Sequence, residues 1–252
     1  MPSLRTRTRL ALLVQREVGR LTAVLWIPAL GFMLRFGLRY RIQNAAELRT
    51  RYRALVRESD GPVLICANHL TMIDSALVAW ALGGSWWWVF NYRRMPWNLP
   101  EYTNFASHWF NRVLAWIAKC LPIVRGGKRS EVSGVLKCIQ HLLSKGETAL
   151  IFAEGGRSRT GRIQLDSIAD GVGRIMSSVR GCQALCVYLR GDRQESWSTI
   201  PVRGDSFYVD FELFKPNSEH SGLRRSRDFA RQVVQQLATM EERYFSRSGV
   251  TA

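Results

Sequence analysis

Two short apolar runs, each followed at once by polar and charged residues, most strongly constrain how this chain folds. Residues 63–67 read VLICA and precede Asn68 and His69, and residues 148–152 read TALIF and precede the stretch AEGGRSR. Apolar runs of about five residues, bounded by turn signals, are typical of buried strands. We therefore predict two strands that each end in candidate functional residues.

Further short apolar runs alternate with helical patterns after the turn signal Asp60-Gly61-Pro62. The predicted additional strands lie at residues 86–90, 121–124, 184–189 and 207–213. The predicted helices lie at residues 74–82, 105–119, 130–144 and 223–244. Such alternation predicts an α/β fold, with a mixed, mostly parallel sheet flanked by helices.

The first part of the chain has a different character. Residues 1–58 are predicted to form a basic, helical, membrane-associating segment, and residues 59–252 a second domain that carries the candidate functional residues. Within the first segment, residues 21–34 are apolar, with Pro28 in the middle. The apolar run after the basic start is short and ends in charge, so we expect no signal peptide.

A membrane-spanning helix needs about 20 apolar residues, and this segment offers fewer. It therefore fits an interfacial or re-entrant anchor, whose following residues Arg35, Arg39 and Arg41 meet anionic headgroups. Two alternatives stay open. The segment could be a buried helix of a soluble domain, or a single span in which Arg35 reaches back to the membrane surface.

The charge balance calls for a polyanionic partner. The chain has 36 Lys and Arg residues against 20 Asp and Glu, a net charge of +16. Nucleic acid, anionic lipid headgroups and phosphorylated substrates all qualify. No nucleic-acid-binding signature is present, so we expect no nucleic-acid partner. The five cysteines form no CxxC pair or Cys/His cluster, so we predict reduced thiols and no metal site.

The first candidate constellation is the stretch from Asn68 to Asp74, NHLTMID, which follows a strand and opens a helix. In a regular helix, residues five apart point in different directions. His69 and Asp74 can meet only if His69 lies in the turn and Asp74 reaches back from the first helical turn. A carboxylate on one imidazole nitrogen makes the other nitrogen a better base, as needed to deprotonate a hydroxyl. Alone, this spacing also fits a structural histidine.

The second constellation, FAEGGRSR at residues 152–159, leaves the other apolar strand. Its paired glycines allow a ligand to approach the backbone closely, and Arg157 and Arg159 offer planar donor groups for phosphate oxygens. A solvated basic loop is the alternative. The third is LPIVRG at residues 121–126, a strand end that carries Arg125.

Together, in this order and at these separations, the three segments resemble the phospholipid and glycerol acyltransferase superfamily, and within it the 1-acylglycerol-3-phosphate acyltransferases. The family signature is NHxxxxD, then a strand end with an Arg, then a block close to FPEGTRSR. This chain departs from it at Ala153, where Pro is usual, and at Gly156, where Thr is usual. The fourth block lacks its usual Pro and ends in Arg190-Gly191-Asp192.

The resemblance implies a role for each matching residue. His69 would be the general base and Asp74 its orienting partner. The acceptor would be bound by a set of residues from all three segments: Asn68, Arg125, Glu154, Gly155, Gly156, Arg157 and Arg159. A fatty acyl group would pass from acyl-CoA or acyl carrier protein to a hydroxyl of a lysophospholipid or glycerol phosphate in phospholipid biosynthesis, with no cofactor.

The expected setting is the cytoplasmic face of the inner membrane, with peripheral or single-span attachment and an anionic membrane surface as partner. The alternatives are a different lysolipid, an amino-lipid or a specialised hydroxylated acceptor. A non-enzymatic basic protein that binds membranes or nucleic acid is the other class considered. The tryptophans at positions 86–88, 97 and 109 are predicted either to line an acyl groove or bilayer interface, or to pack in the core.

Overall fold

A computed structural model describes residues 4–102, 109–124, 126–166 and 168–248, and its centre is a six-stranded sheet. The strand order is β1-β6-β5-β2-β4-β3. The strands are β1 (Arg41–Ile42), β2 (Val63–Ala67), β3 (Trp97–Asn98), β4 (Ala149–Phe152), β5 (Gln183–Gly191) and β6 (Ser206–Phe214).

The sheet is mixed and mostly parallel, as predicted. β5 pairs antiparallel with β6, and the other neighbouring pairs are parallel. β2 lies between β4 and β5, with Ala67 opposite Phe152 on one side and Val187 on the other. Because β2 and β4 run parallel, their carboxyl ends meet at one edge of the sheet. This arrangement brings the segments after the two apolar runs side by side.

Helices cover both faces of the sheet. They are α1 (Thr6–Phe32), α2 (Ala45–Glu58), α3 (Asp74–Leu82), α4 (Ser85–Phe90), α5 (Trp109–Ile117), α6 (Arg129–Ser144), α7 (Asp170–Ser178) and α8 (Gly222–Ser248). Alternate residues of β2 face different cores because strand side chains alternate. Leu64 and Cys66 pack with α6, α7 and α8, whereas Ile65 and Ala67 pack with α1, α2 and α3.

The predicted strand at residues 86–90 is wrong, because these residues form the helix α4. Trp88 is buried, and its indole Nε1 donates a hydrogen bond to the carbonyl of Ala79 at 2.6 Å. Trp86 is 60% exposed. Consecutive helical residues point in different directions, so neighbouring tryptophans enter different environments.

The predicted strand at residues 121–124 is also wrong. Leu121 and Ile123 donate backbone hydrogen bonds to the carbonyls of Asn98 and Pro100 at 2.8 and 2.9 Å, but only isolated bridges form there and no continuous strand. The helix predicted over residues 105–119 is observed as α5, and residues 103–108 lie outside the described residues.

The N-terminal helix is longer than its apolar stretch indicated. α1 passes through Pro28 and continues as a π-helical turn, Met33–Gly37. Residues Thr6–Gly37 form a helix of 32 residues whose most apolar window has a hydropathy of 1.4. By length and composition this helix can cross a membrane. One side of it, with Leu12, Ala23 and Ile27, is buried against the rest of the protein.

Residues 41–58 share the sheet and its core. β1 pairs with β6, and α2 buries Leu48 and Tyr52. Tyr40, just before β1, is also fully buried and donates a hydrogen bond to the carbonyl of Pro201 at 2.6 Å. The second half of the predicted N-terminal segment therefore contributes to the same core as the residues that follow it.

Candidate active site

His69 and Asp74 meet across the turn between β2 and α3. His69 lies two residues after the end of β2, and Asp74 is the first residue of α3. The imidazole Nδ1 lies 3.0 Å from Oδ2 of Asp74, and both side chains are buried. This is the geometry that the sequence required for the two residues to touch. The contact orients the imidazole and leaves Nε2 as its second nitrogen.

The carboxylate of Asp74 is held by the turn itself. Its Oδ2 accepts hydrogen bonds from the backbone N–H groups of Leu70 at 2.6 Å and Thr71 at 2.7 Å. Its Oδ1 accepts one from the hydroxyl of Thr71 at 2.5 Å. A carboxylate at the first turn of a helix also interacts favourably with the helix dipole. These contacts fix Asp74 before any substrate binds.

Sequence reasoning missed Thr71, although a signal was available. Residues 71–74 read TMID, which matches the capping-box pattern of a Thr followed three residues later by an acid. In that pattern the acidic side chain hydrogen-bonds back to the first backbone N–H, as Asp74 does to Thr71. The Thr71 hydroxyl also accepts a hydrogen bond from the Ile73 N–H at 3.3 Å.

One face of the His69 ring is covered by Phe152, the last residue of β4. The rings of His69 and Phe152 are stacked, with centroids 3.8 Å apart and planes 8° from parallel. Phe152 is brought there by the β2–β4 register, which places it opposite Ala67. In the described part of the chain, no hydrogen bond engages Nε2 of His69. The ring is thus held by Asp74 and Phe152, with Nε2 left for a ligand.

Asn68, predicted to bind substrate, makes different contacts in this structure. Its side chain is buried and pairs with the backbone of Leu189 in β5. The amide Nδ2 donates to the Leu189 carbonyl at 2.9 Å, and Oδ1 accepts from the Leu189 N–H at 2.8 Å. These two bonds extend the pairing of β2 and β5 by one residue and fix the turn before His69. A direct contact of Asn68 with substrate stays a prediction.

Glu154 also supports the His69 turn. Its side chain is buried, and it accepts hydrogen bonds from the backbone N–H groups of Gln164 and His69. Burial raises the pKa of Glu154 to about 7, because burial penalises the charged carboxylate more than these hydrogen bonds stabilise it. A neutral carboxyl can donate as well as accept a hydrogen bond. Its predicted contact with the acceptor is untested.

The loop after β4 is joined to the turn after β2 through the backbone. The N–H of Ser158 donates to the carbonyl of His69 at 2.9 Å. Gly155 has a φ of +70°, and a Cβ there would lie 3.2 Å from the Ala169 side chain, so a larger residue would be strained. Gly156 follows in the same turn and is half-buried. The first and third sequence segments therefore form one structural unit.

The two arginines of this loop differ in their surroundings. The guanidinium of Arg157 lies 5.0 Å from the ring centroid of Trp197, which is a cation–π contact, whereas Arg159 is exposed. Arg125, the third predicted phosphate-binding residue, lies outside the described residues. The binding roles of Arg157, Arg159 and Arg125 stay predictions.

Arg190 holds the loop after β4 through a hydrogen bond, a role that sequence reasoning did not assign. Its buried guanidinium donates to the carbonyls of Gly161 at 2.5 Å and Glu195 at 3.2 Å. Glu241 of α8 accepts a hydrogen bond from the Ile163 N–H at 3.1 Å. The hydrogen bond of Arg190 to Gly161 therefore attaches the end of β5 to the loop after β4.

A cavity of about 410 Å³ opens next to the catalytic candidates. Phe152, which stacks on His69, forms part of its wall, and Gly155 lies beside it. Most other lining side chains are apolar, among them Leu99, Ile123, Val124, Val132, Leu136 and Ile151. The cavity can therefore take an apolar chain close to the His69 ring.

Exposed apolar side chains cluster on two helices that touch each other. Gln15 of α1 donates hydrogen bonds to the carbonyls of Trp116 and Cys120, at 2.9 and 3.0 Å, which joins α1 to α5. We call their exposed apolar residues the apolar face: Leu10, Leu13, Val14, Leu21, Val24 and Leu25 on α1, and Trp109, Phe110, Val113 and Leu114 on α5. Among the tryptophans singled out in the sequence, Trp88 and Trp97 are buried in the core, while Trp86 and Trp109 are exposed.

Within the described ranges, no group of three His, Cys, Asp or Glu side chains is placed to hold a metal ion. A search of curated proteins finds no match to this chain. A model of the acyltransferase family matches residues 39–202. The matched stretch runs from just before β1 to beyond β5, and it contains the His69 turn and the loop after β4.

Proposed function

This chain belongs to the acyltransferase family, and we propose that it moves a fatty acyl group from a thioester donor to a hydroxyl of a phosphorylated glycerolipid at a membrane surface. The observation that carries the proposal is the His69–Asp74 pair, 3.0 Å apart, whose imidazole stacks on Phe152 in the wall of a mostly apolar cavity. A base, an orienting carboxylate and an apolar chain site are what direct acyl transfer to an alcohol requires.

In the proposed reaction, Nε2 of His69 accepts the proton of the acceptor hydroxyl as its oxygen attacks the thioester carbonyl. Asp74 stabilises the imidazolium that forms. The carbon–sulfur bond then breaks, the ester forms, and the imidazolium returns the proton to the leaving thiolate. No acyl-enzyme is needed, so the five cysteines have no part in the chemistry.

The acceptor phosphate would lie at the loop after β4. The side chains of Arg157 and Arg159, with Arg125, offer planar donors suited to phosphate oxygens. Gly155 and Gly156 leave the backbone open to a ligand. We propose a lysophospholipid or glycerol phosphate as acceptor, since this basic loop lies directly beside His69.

The donor chain would occupy the cavity beside Phe152. An apolar chain there gains free energy from leaving water, at roughly 25 cal/mol per Å² of apolar surface buried. The wall formed by Phe152 would place the thioester carbonyl next to the imidazole that stacks on the same ring. The thioester would come from acyl-CoA or acyl carrier protein.

The acceptor lipid would be reached from a bilayer. The apolar face of α1 and α5 supports attachment to a membrane, since large exposed apolar patches mark membrane or protein contact sites. We propose that this face enters one leaflet, on the cytoplasmic side, where acyl-CoA and acyl carrier protein are found.

A labelling experiment tests the function. Purified protein is incubated with a lipid extract and either labelled acyl-CoA or labelled acyl carrier protein, and the products are separated. We expect the label as an ester on a phosphorylated glycerolipid. Label on another lysolipid, an amino-lipid or a different hydroxylated acceptor would overturn the acceptor assignment and keep acyl transfer. No transfer from either donor would contradict the proposal as a whole.

A further inference from the structure

A second, larger cavity lies at the far end of α3 from the active site. It has a volume of about 880 Å³, is open to solvent, and is lined by the end of α1 with its π-helical turn, the start of α2 and the junction of α3 with α4. Three of its lining residues are Arg35, Arg41 and Arg49, and we call it the arginine cavity. Asp74 begins α3, whereas Trp80 and Gly84 line this cavity, so the length of α3, about 13 Å, separates it from the catalytic pair.

The three arginines of the cavity differ from other arginines of this protein in their ionic contacts. Arg51 is paired with Asp210, and Arg16 with Glu147, but among the described residues no carboxylate forms an ion pair with Arg35, Arg41 or Arg49. Three positively charged side chains line this cavity, and a bound anion would offset their charge. The arrangement thus favours an anionic ligand.

Arg49 is fixed in place by the end of α3. Its Nε and Nη2 donate to the carbonyls of Ala81 at 3.3 Å and Trp80 at 3.1 Å. The guanidinium also lies close to Gly84, where a Cβ would be 3.1 Å from its central carbon. Its planar group is therefore held at the cavity wall, ready to donate with its remaining N–H groups.

The other lining residues are apolar and aromatic. Phe32 and Phe36 of the α1 end have ring centroids 4.8 Å apart, and Trp86 of α4 stands beside them, with all three rings exposed. The helix meets α4 closely at Gly31, where a Cβ would clash with the hydroxyl oxygen of Ser85. This close approach carries the next turns of the helix, with their rings and Arg35, to the edge of the cavity.

We propose that the arginine cavity binds the phosphate headgroup of an anionic phospholipid. The arginines would hold the phosphate, and the exposed rings would lie among the first groups of its acyl chains, as aromatic side chains do at membrane interfaces. Because the cavity lies at the end of the helix that is apolar and long enough to cross a membrane, it would sit at headgroup level. Such a site would fix the orientation of the enzyme on the bilayer, and it does not depend on the proposed chemistry at His69.

Vesicle binding by full-length protein tests the proposal. The variant Arg35→Gln/Arg41→Gln is compared with wild type on phosphatidylcholine vesicles with and without phosphatidylglycerol. Arg5→Gln/Arg7→Gln is the matched control, because it removes the same charge from exposed positions on the other end of the same helical segment. We expect the cavity variant to lose roughly tenfold or more in affinity for phosphatidylglycerol vesicles, and the control to lose at most about threefold.

Equal losses of vesicle affinity in the two variants would mean that these arginines act only through general electrostatic attraction to the membrane surface. That result would overturn the proposed site. Wild-type protein provides a second test that no folding defect can affect. A soluble short-chain phosphatidylglycerol should compete with the vesicles far better than inorganic phosphate does at the same concentration. Competition by inorganic phosphate that equals that of the lipid would make this a simple anion site and would overturn the lipid assignment.

Discussion

The imidazole of His69 lies flat on the phenyl ring of Phe152, with ring centroids 3.8 Å apart and planes 8° from parallel. His69 follows β2 and Phe152 ends β4, which are neighbouring parallel strands, and the two residues are more than 80 positions apart in the sequence. The same phenyl ring forms part of the wall of the apolar cavity. One contact thus links the proposed base to the proposed site of the acyl chain.

Replacement of Thr71 by Val should lower activity without removing any catalytic group. Val keeps the shape of Thr but loses the hydroxyl that donates to Asp74 at 2.5 Å. A hydrogen bond to a charged group contributes about 1.5–3 kcal/mol, so we expect kcat/KM to fall by roughly tenfold to a hundredfold. Thr71→Ser, which keeps the hydroxyl, should stay within about threefold of wild type. Equal activities of the Val and Ser variants would show that this bond does not position Asp74.

The Glu154 carboxyl should make stability depend on pH. Burial raises its pKa from an ordinary value of 4.5 to about 7. Between these values the folded protein keeps a proton that the unfolded chain releases, so this group lowers the free energy of unfolding as pH rises from 4.5 to 7. Below pH 4.5 the carboxyl is protonated in both the folded and the unfolded state. Above pH 7 it is ionised in both states, and the free energy of unfolding falls no further from this group.

Glu154→Gln should remove this dependence, because the amide stays neutral at every pH. Urea unfolding at pH 5 and pH 8 measures it, and we expect the variant to gain stability relative to wild type at the higher pH. The exposed Glu219→Gln serves as the control and should have the same small effect at both values. If the free energies of unfolding of Glu154→Gln and wild type differed by the same amount at pH 5 and pH 8, the raised pKa of Glu154 would be contradicted.

Arg157→Lys should raise the KM for the acceptor by roughly tenfold while the KM for the donor changes by less than about twofold. Lys keeps the charge but loses the planar pair of donors that suits phosphate. Steady-state kinetics with each substrate varied in turn gives both constants. Arg180→Lys, an exposed change just before the opposite end of β5, is the control. Equal effects on both KM values would mean that Arg157 does not bind the acceptor phosphate.

The apolar face should carry the membrane contact. Leu21→Gln/Leu25→Gln on α1 and Trp109→Gln/Phe110→Gln on α5 change strongly exposed side chains, so the fold should persist. Each lost apolar contact costs about 1.5 kcal/mol or more, and we expect each pair to weaken co-sedimentation with neutral vesicles by roughly tenfold or more. Leu223→Gln on α8 is the exposed control and should bind as wild type does.

Added salt distinguishes peripheral attachment to the membrane from attachment by a spanning helix. A peripheral contact strengthened by arginines should weaken with added salt, since charges are screened over about 10 Å at 0.1 M. Binding that resists both high salt and alkaline carbonate would instead indicate a spanning helix. Removal of residues 1–58 would not be a clean test, because it would delete β1 and the buried side chains of α2 from the core.

Much of the central fold follows from local sequence patterns. The apolar runs that predict β2 and β4, and the alternation that predicts β6, correspond closely to the observed strands. The requirement that His69 lie in a turn and Asp74 begin a helix came from helix geometry alone, and the structure has this arrangement. These features are set by residues near each other in the chain.

The features that were predicted wrongly or missed depend on contacts between residues far apart in the sequence. A short apolar run such as residues 86–90 fits a strand or a helix, and here the helix is stabilised by the packing of Trp88 against Tyr52 of α2. The side chain of Asn68 is fixed by Leu189, which is 121 positions away. The position of Phe152 on His69 depends on the pairing of β2 with β4, which no local pattern specifies.

The most direct test of the account is the acyl-transfer rate of purified His69→Ala, measured with the substrates that the labelling experiment identifies. His220→Ala, an exposed histidine before α8, is the matched control, and thermal unfolding confirms that both variants are folded. Loss of a general base typically costs about 10²–10⁴ in rate. We predict a fall of that size in kcat/KM for His69→Ala and wild-type activity for His220→Ala. A folded His69→Ala protein that turns over as fast as wild type would contradict the assignment of His69 as the base.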